Sequence, residues 1–217
     1  MKTETSHTHQ GTPVLSLGSE LTSAKSAMIL LHGRGASAED MIGLAGEFSV
    51  PDNMIVLAPQ ANANIWYPQR LTAPVATNEP YLSSAILRIG EIVDMLQSNG
   101  IPAERVIIGG FSQGASLSIE YVLRNPRRWG GLIAFSGGYI WPMDIPREPP
   151  VGSLQAMPVF LGCSNVDPFI PLQRVEDTSA ILGAMGAQVN KQIYPGMGHT
   201  ITPDEIAAAQ KIINALI

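Results

Sequence analysis

Five residues, Gly110-Phe111-Ser112-Gln113-Gly114, stand between the apolar run Val106-Ile107-Ile108 and a segment, residues 115–123, of helix-forming composition. Glycine at both outer positions with serine at the centre is the pattern of a sharp strand-to-helix turn. Strand and helix nearly touch at such a turn, so the outer positions have no room for side chains, and the central residue is lifted out of the backbone in a strained conformation. The pentapeptide alone recurs by chance. Its place after an apolar strand and before a helix is what makes Ser112 a candidate nucleophile.

A turn of this kind needs a parallel sheet around it, and the remaining sequence supplies one. Continuous apolar runs at 26–31, 53–58, 105–109, 131–136 and 158–162, with a further strand at 189–194, read as strands, most of them buried on both faces. Between them, helical patterning covers 38–48, 79–98, 115–124, 172–185 and 203–216. A short edge strand is expected at 13–17. Strands alternating with helices predict an α/β fold with a mostly parallel central sheet and helices on both faces. In such sheets ligands bind at the carboxyl ends of the strands. With 217 residues, 45% of them hydrophobic, and no internal repeat or linker, the expectation is one domain over 13–217 behind a flexible polar tail over 1–12.

A serine hydroxyl needs a base, and the base needs a group to orient it. Of four histidines, His7 and His9 fall in the expected tail, where they make a poor metal ligand set. His32 lies in its own Gly-rich loop, His32-Gly33-Arg34-Gly35, and is read as bracing it. His199, in Gly196-Met197-Gly198-His199 after the last strand, is the candidate base. The chain order serine, acid, histidine restricts the acid to residues between 112 and 199. Asp144 lies in a Pro-rich stretch, and Glu176 and Asp177 lie in a predicted helix. Asp167, a few residues beyond a buried strand, is favoured over its plain reading as a turn-forming Asp-Pro. The expected oxyanion donors are the backbone amides of Gln113 and Arg34. The Arg34 side chain has two readings, solvated or facing an anionic substrate group.

Other features bound the function. The net charge is −5 with no basic cluster, which argues against nucleic acid or an anionic membrane as partner. No apolar run is long enough to span a bilayer, and residues 1–12 lack the apolar region of an export signal. A single cysteine, Cys163, fits a reducing cytoplasm and is read as a small buried side chain rather than a nucleophile. The long connection 60–80 carries Trp66 and Tyr67, and the excursion 141–150 carries Trp141. Both are expected to wall the pocket, with Trp66, Tyr67, Phe169, Ile170 and Met197 as candidate substrate contacts. Walls of this kind favour acyl chains on the order of two to six carbons.

Taken together, Leu30-Leu31-His32-Gly33-Arg34-Gly35, Gly109-Gly110-Phe111-Ser112-Gln113-Gly114-Ala115, Asp167-Pro168 and Gly196-Met197-Gly198-His199 resemble the phospholipase/carboxylesterase family of α/β-hydrolases, over about residues 26–217. That resemblance implies an α/β-hydrolase with no large cap domain, hydrolysis of carboxylic ester or thioester bonds, no cofactor, and frequently a homodimer; a small-molecule ester substrate and no metal are expected. The acyl-protein thioesterases of the family typically continue the His-Gly motif with Leu-Gly-Asp, where this chain has Arg34-Gly35-Ala36. With Trp66-Tyr67-Pro68 and Asn78-Glu79-Pro80, this looks more like the bacterial esterase branch. The expectation is a serine carboxylesterase for short-to-medium acyl esters. Its rivals are a thioesterase or lysophospholipase with the same triad, and a ligand-binding protein on a hydrolase fold.

Overall fold

In the computed structural model, which describes residues 8–216, strand β4 (Val106–Phe111) runs through the middle of a seven-stranded sheet and ends at the serine. The order across the sheet is β1-β3-β2-β4-β5-β6-β7, with β1 (Val14–Gly18), β2 (Ser26–Leu31), β3 (Met54–Pro59), β5 (Gly131–Phe135), β6 (Pro158–Ser164) and β7 (Gln188–Tyr194). Only β1 is antiparallel to its neighbour. Every residue of β2, β3 and β5 is buried, as strands covered on both faces require, whereas the edge strands β1 and β7 carry polar side chains to solvent.

Successive residues of a strand point to opposite faces, and two apolar cores result. Ala27, Ile29 and Leu31 face α2 (Tyr81–Ser98), α3 (Gln113–Arg124) and α4 (Leu172–Ala184). Met28 and Leu30 face α1 (Ala38–Ala45) and α5 (Pro203–Asn214). Both helices of the second layer begin with a reciprocal cap, Ser37 with Asp40 and Thr202 with Glu205, and α5 adds a proline in its first turn. Helix α1 stops at Ala45, short of the expected residue 48; its cap Gly46 keeps a right-handed helical backbone, with its N–H donating to the Ile42 and Gly43 carbonyls at 3.1 Å each. Among the described residues no helix is long and apolar enough to cross a membrane.

The expected tail needs correction where it is described. His9 is fully buried; its N–H donates to Ser84 Oγ at 3.0 Å, and the Thr12 hydroxyl donates to the His9 carbonyl at 2.7 Å. Residues 8–12 therefore lie docked against α2. Their polar composition suggested solvent, but the polar groups are met by partners far away in sequence. His7 lies outside the described residues.

Candidate active site

The turn at Ser112 has the geometry that its glycines require. Ser112 sits at φ 55°, ψ −115°, a strained backbone for a residue with a Cβ. A Cβ on Gly110 would fall 2.3 Å from the Leu31 carbonyl oxygen, and one on Gly114 only 2.0 Å from the same atom. Strand β2 thus passes too close to the turn for any other residue. The strained serine is held by its N–H, which donates to the Phe135 carbonyl at 2.9 Å, and by its carbonyl, which accepts from Ser116 N–H at 3.0 Å.

Three residues from three loops meet here. Ser112 Oγ lies 2.8 Å from His199 Nε2, and His199 Nδ1 lies 2.7 Å from Asp167 Oδ2. A carboxylate only accepts, so Nδ1 carries the proton and Nε2 is left to accept from the serine hydroxyl. The Asp167 side chain is fully buried, and its other oxygen accepts from the Phe169 and Ile170 amides at 2.8 and 2.9 Å. Burial alone would raise its pKa, but the hydrogen bonds from His199 and from those two amides outweigh it and hold the carboxyl below the usual value. The imidazole is flanked by Phe111 and Phe169, with ring centroids 4.8 and 4.9 Å away.

The loops that carry the acid and the histidine are joined directly, since Gly196 N–H donates to Asn165 Oδ1 at 2.9 Å. Beyond His199, buried Glu205 binds the Thr202 amide and hydroxyl, fixing where the loop enters α5. The competing acids are elsewhere. Asp144 is exposed, Glu176 pairs with Lys191, and Asp177 accepts from Gln173. Cys163 is buried, and burial with the nearby Asp167 charge pushes its thiol up to about 12.

His32 braces its loop, as read from the sequence. The Ala61 amide donates to its Nε2 at 3.0 Å, so Nδ1 carries the proton and donates to the Gly33 carbonyl at 2.7 Å. The backbone amides of Arg34 and of Gln113, the residue after Ser112, meet no hydrogen-bond acceptor among the described residues. The Gln113 amide is the first of α3, where no intrahelical acceptor exists.

These groups open into a cleft of about 470 Å³. Its apolar walls are Tyr67, Leu71, Phe111, Phe169 and Ile170, and Arg34 and Arg70 also line it. Two expected contacts are absent from it. Trp66 is fully buried behind the wall, its indole N–H donating to the His32 carbonyl at 2.9 Å and its backbone N–H to Gln113 Oε1 at 2.9 Å. Met197 is half-buried in the histidine loop and does not reach the cleft. The 141–150 excursion does not wall it either. Arg147 pairs there with buried Glu120 and lies over the rings of Tyr139 and Trp141, which anchors the segment toward α3 and α4.

Three supports had no visible signal in the sequence. The Gln113 side chain links the turn to the 60–71 loop, its Nε2 donating to the Tyr67 carbonyl at 2.8 Å. The Arg34 guanidinium is neither simply solvated nor free, because its Nη2 donates to the carbonyls of Tyr67 and Gln69 at 2.8 and 2.9 Å. His9 accepts from the Asn62 amide at Nδ1, 3.1 Å, and donates from Nε2 to the Trp66 carbonyl, 2.9 Å. The Trp66 ring is therefore flanked by His9 and His32, with centroids at 5.3 and 5.1 Å.

Known proteins match both this fold and this chain. A crystal structure of a phospholipase/carboxylesterase from Dyadobacter fermentans is 41% identical with a TM-score of 0.88, over 94% of this chain and 96% of that one. Acyl-protein thioesterase 1 of Eremothecium gossypii is 30% identical, with 88% of each chain covered. The Bacillus cereus carboxylesterase, at 18% identity and a TM-score of 0.75 over 96% of each chain, shares the fold. Matched over residues 16–217, the chain belongs to the phospholipase/carboxylesterase family and is a serine hydrolase of carboxylic esters with the α/β-hydrolase fold.

Proposed function

We propose that Ser112 is the nucleophile, His199 the base and Asp167 its orienting acid, acting on short-to-medium acyl esters. Support comes above all from the unbroken hydrogen-bonded line Asp167–His199–Ser112, which ends at an apolar cleft. Ser112 Oγ attacks the carbonyl carbon as its proton passes to His199 Nε2. The charge that develops on the carbonyl oxygen is met by the Arg34 and Gln113 amides, which need no reorganisation to serve it. The imidazolium, stabilised by Asp167, protonates the departing alkoxide as the tetrahedral intermediate collapses to an acyl-enzyme. Water then repeats the attack, its proton going to His199, and the acid leaves as Ser112 regains its proton.

The few apolar side chains of the wall favour short acyl groups. Each methylene laid against Leu71, Phe111, Phe169 or Ile170 contributes about 0.8 kcal/mol, and one that extends beyond them contributes little. The optimum is then on the order of two to six carbons by that burial argument. The thioesterase reading draws support from relatives such as acyl-protein thioesterase 1 of Eremothecium gossypii. A series of 4-nitrophenyl esters from acetate to palmitate separates the two readings. The carboxylesterase reading expects a burst of nitrophenol and a kcat/KM maximum at short chains. A palmitoyl preference over butyryl moves the assignment to long-chain thioesters and lipids. Turnover without any acyl-enzyme burst or trapped acyl-serine contradicts the covalent route.

A further inference from the structure

Two positive charges at the cleft take no part in the triad. Arg34 and Arg70 both line it, no aspartate or glutamate among the described residues does, and the chain as a whole carries a net charge of −5. Other arginines are committed to partners: Arg88 to Glu91, Arg124 and Arg147 to Glu120, and Arg174 to the face of Tyr139. Arg70 is exposed, and its side chain makes no hydrogen bond or ion pair with any described residue. Arg34 commits Nη2 alone, to the carbonyls of Tyr67 and Gln69. Those bonds hold its guanidinium against the residue that precedes Arg70, while its Nη1 and Nε meet no acceptor among the described residues. Two arginines thus line one cleft beside which no described carboxylate stands, Arg34 tied through one nitrogen and Arg70 exposed.

A planar guanidinium with open donors binds carboxylate or phosphate oxygens in pairs, and an anion that enters a cleft lined by two arginines meets favourable charge. We infer that the ester taken by this site carries a carboxylate or phosphate group beyond the scissile bond, bound by Arg34 and Arg70. The inference rests on the assignment of Ser112 as nucleophile. The apolar walls then receive the carbon chain, and the arginines receive the charge. An ester with a cationic end meets repulsion at the same rim, so the pair also selects against such substrates.

The test uses two matched pairs. In 4-nitrophenyl hydrogen adipate against 4-nitrophenyl hexanoate, the anion is a carboxylate on the acyl end. In 1-butyrylglycerol 3-phosphate against 1-butyrylglycerol, it is a phosphate on the alcohol end. The expected result is that kcat/KM in one pair favours the anionic member by about tenfold at low salt, as charge-assisted hydrogen bonds supply. The pair that responds identifies the source. Arg70→Gln should lower that ratio by about tenfold, Arg70→Lys should restore part of it, and raising the salt should shrink it. A preference for the neutral member in both pairs overturns the inference, as does a ratio that neither Arg70→Gln nor salt changes. Calorimetry on Ser112→Ala keeps the two readings apart. If the wild type hydrolyses none of the four esters yet Ser112→Ala binds the adipate ester more tightly than the hexanoate ester, the anion site stands and the nucleophile assignment falls. Equal binding of the two overturns the anion site.

Discussion

Replacing His9 by alanine removes a ring whose two nitrogens hold the wall of the cleft from behind. Its Nε2–H is the donor to the Trp66 carbonyl at 2.9 Å, and because Trp66 is fully buried, that carbonyl is left without a partner. Such an orphan costs about 1–3 kcal/mol. Asn62, which donates to Nδ1, is exposed and regains its bond from water. The space left against the Trp66 ring adds a smaller cavity cost, so His9→Ala should lose about 2–4 kcal/mol at pH 7.5. The loss should also depend on pH. Burial holds the His9 pKa below 6.5, with His32 adding to the effect and the Trp66 carbonyl opposing it. Burial likewise depresses His32, against the Gly33 carbonyl and the charges of Asp40 and Glu39. Below about pH 6.5 the unfolded chain takes up protons that the folded chain does not, so wild-type stability falls as pH drops. Each histidine contributes a slope of at most about 1.4 kcal/mol per pH unit. His9→Ala lacks one of the two slopes, so its deficit relative to wild type should narrow from pH 7.5 to pH 5.5. Urea unfolding followed by tryptophan fluorescence at both pH values measures this. A deficit under about 0.5 kcal/mol at pH 7.5, or one that stays constant with pH, refutes the bracing role of His9.

Asp167→Asn keeps an acceptor for the Phe169 and Ile170 amides but removes the charge and favours the wrong His199 tautomer. Esterase kcat should fall by up to about 10⁴ near neutral pH with the melting temperature little changed; a loss below tenfold there would exclude Asp167 as the acid. Trp66→Ala should destabilise the fold by about 3–5 kcal/mol, since a fully buried ring and its bond to the His32 carbonyl are lost. It should leave the acyl-chain optimum where it was, because Trp66 is not at the cleft surface, and an ester-length series on the folded fraction checks this. Gly114→Ala would set a Cβ 2.0 Å from the Leu31 carbonyl oxygen, at a cost of about 3 kcal/mol or more. Circular dichroism should show a sharply lowered melting temperature, and an unchanged one would mean that β2 is not pressed against the turn.

The scaffold was legible because local rules and the global fold agree. Residues 26–31 are continuously apolar since both faces of β2 are covered, and the glycines at 110 and 114 mark a contact that admits nothing larger. The order of Ser112, Asp167 and His199 along the chain, each beyond the end of a strand, brought the three together on paper as they lie in space. Side-chain direction within loops was not legible. Trp66 and Tyr67 are adjacent aromatics, yet one is a buried brace and the other a wall, because loop backbone lacks the fixed alternation of a strand. Met197 falls outside the cleft for the same reason. His9 has the sequence surroundings of a tail because its partners, Trp66, Asn62 and Ser84, lie more than fifty residues away, and no local pattern announces such a contact.

The central claim is that Ser112 is the reacting atom's owner, and a fluorophosphonate tests it without knowledge of the substrate. The purified protein is treated with the reagent, its activity on a short-chain aryl ester is followed, and the adduct is located by mass and peptide mapping. The expected result is one adduct per chain, on the peptide containing Ser112, with activity lost in proportion, and no labelling of Ser112→Ala. An adduct on any other serine that tracks the loss of activity would contradict the account, as would full activity with Ser112 modified.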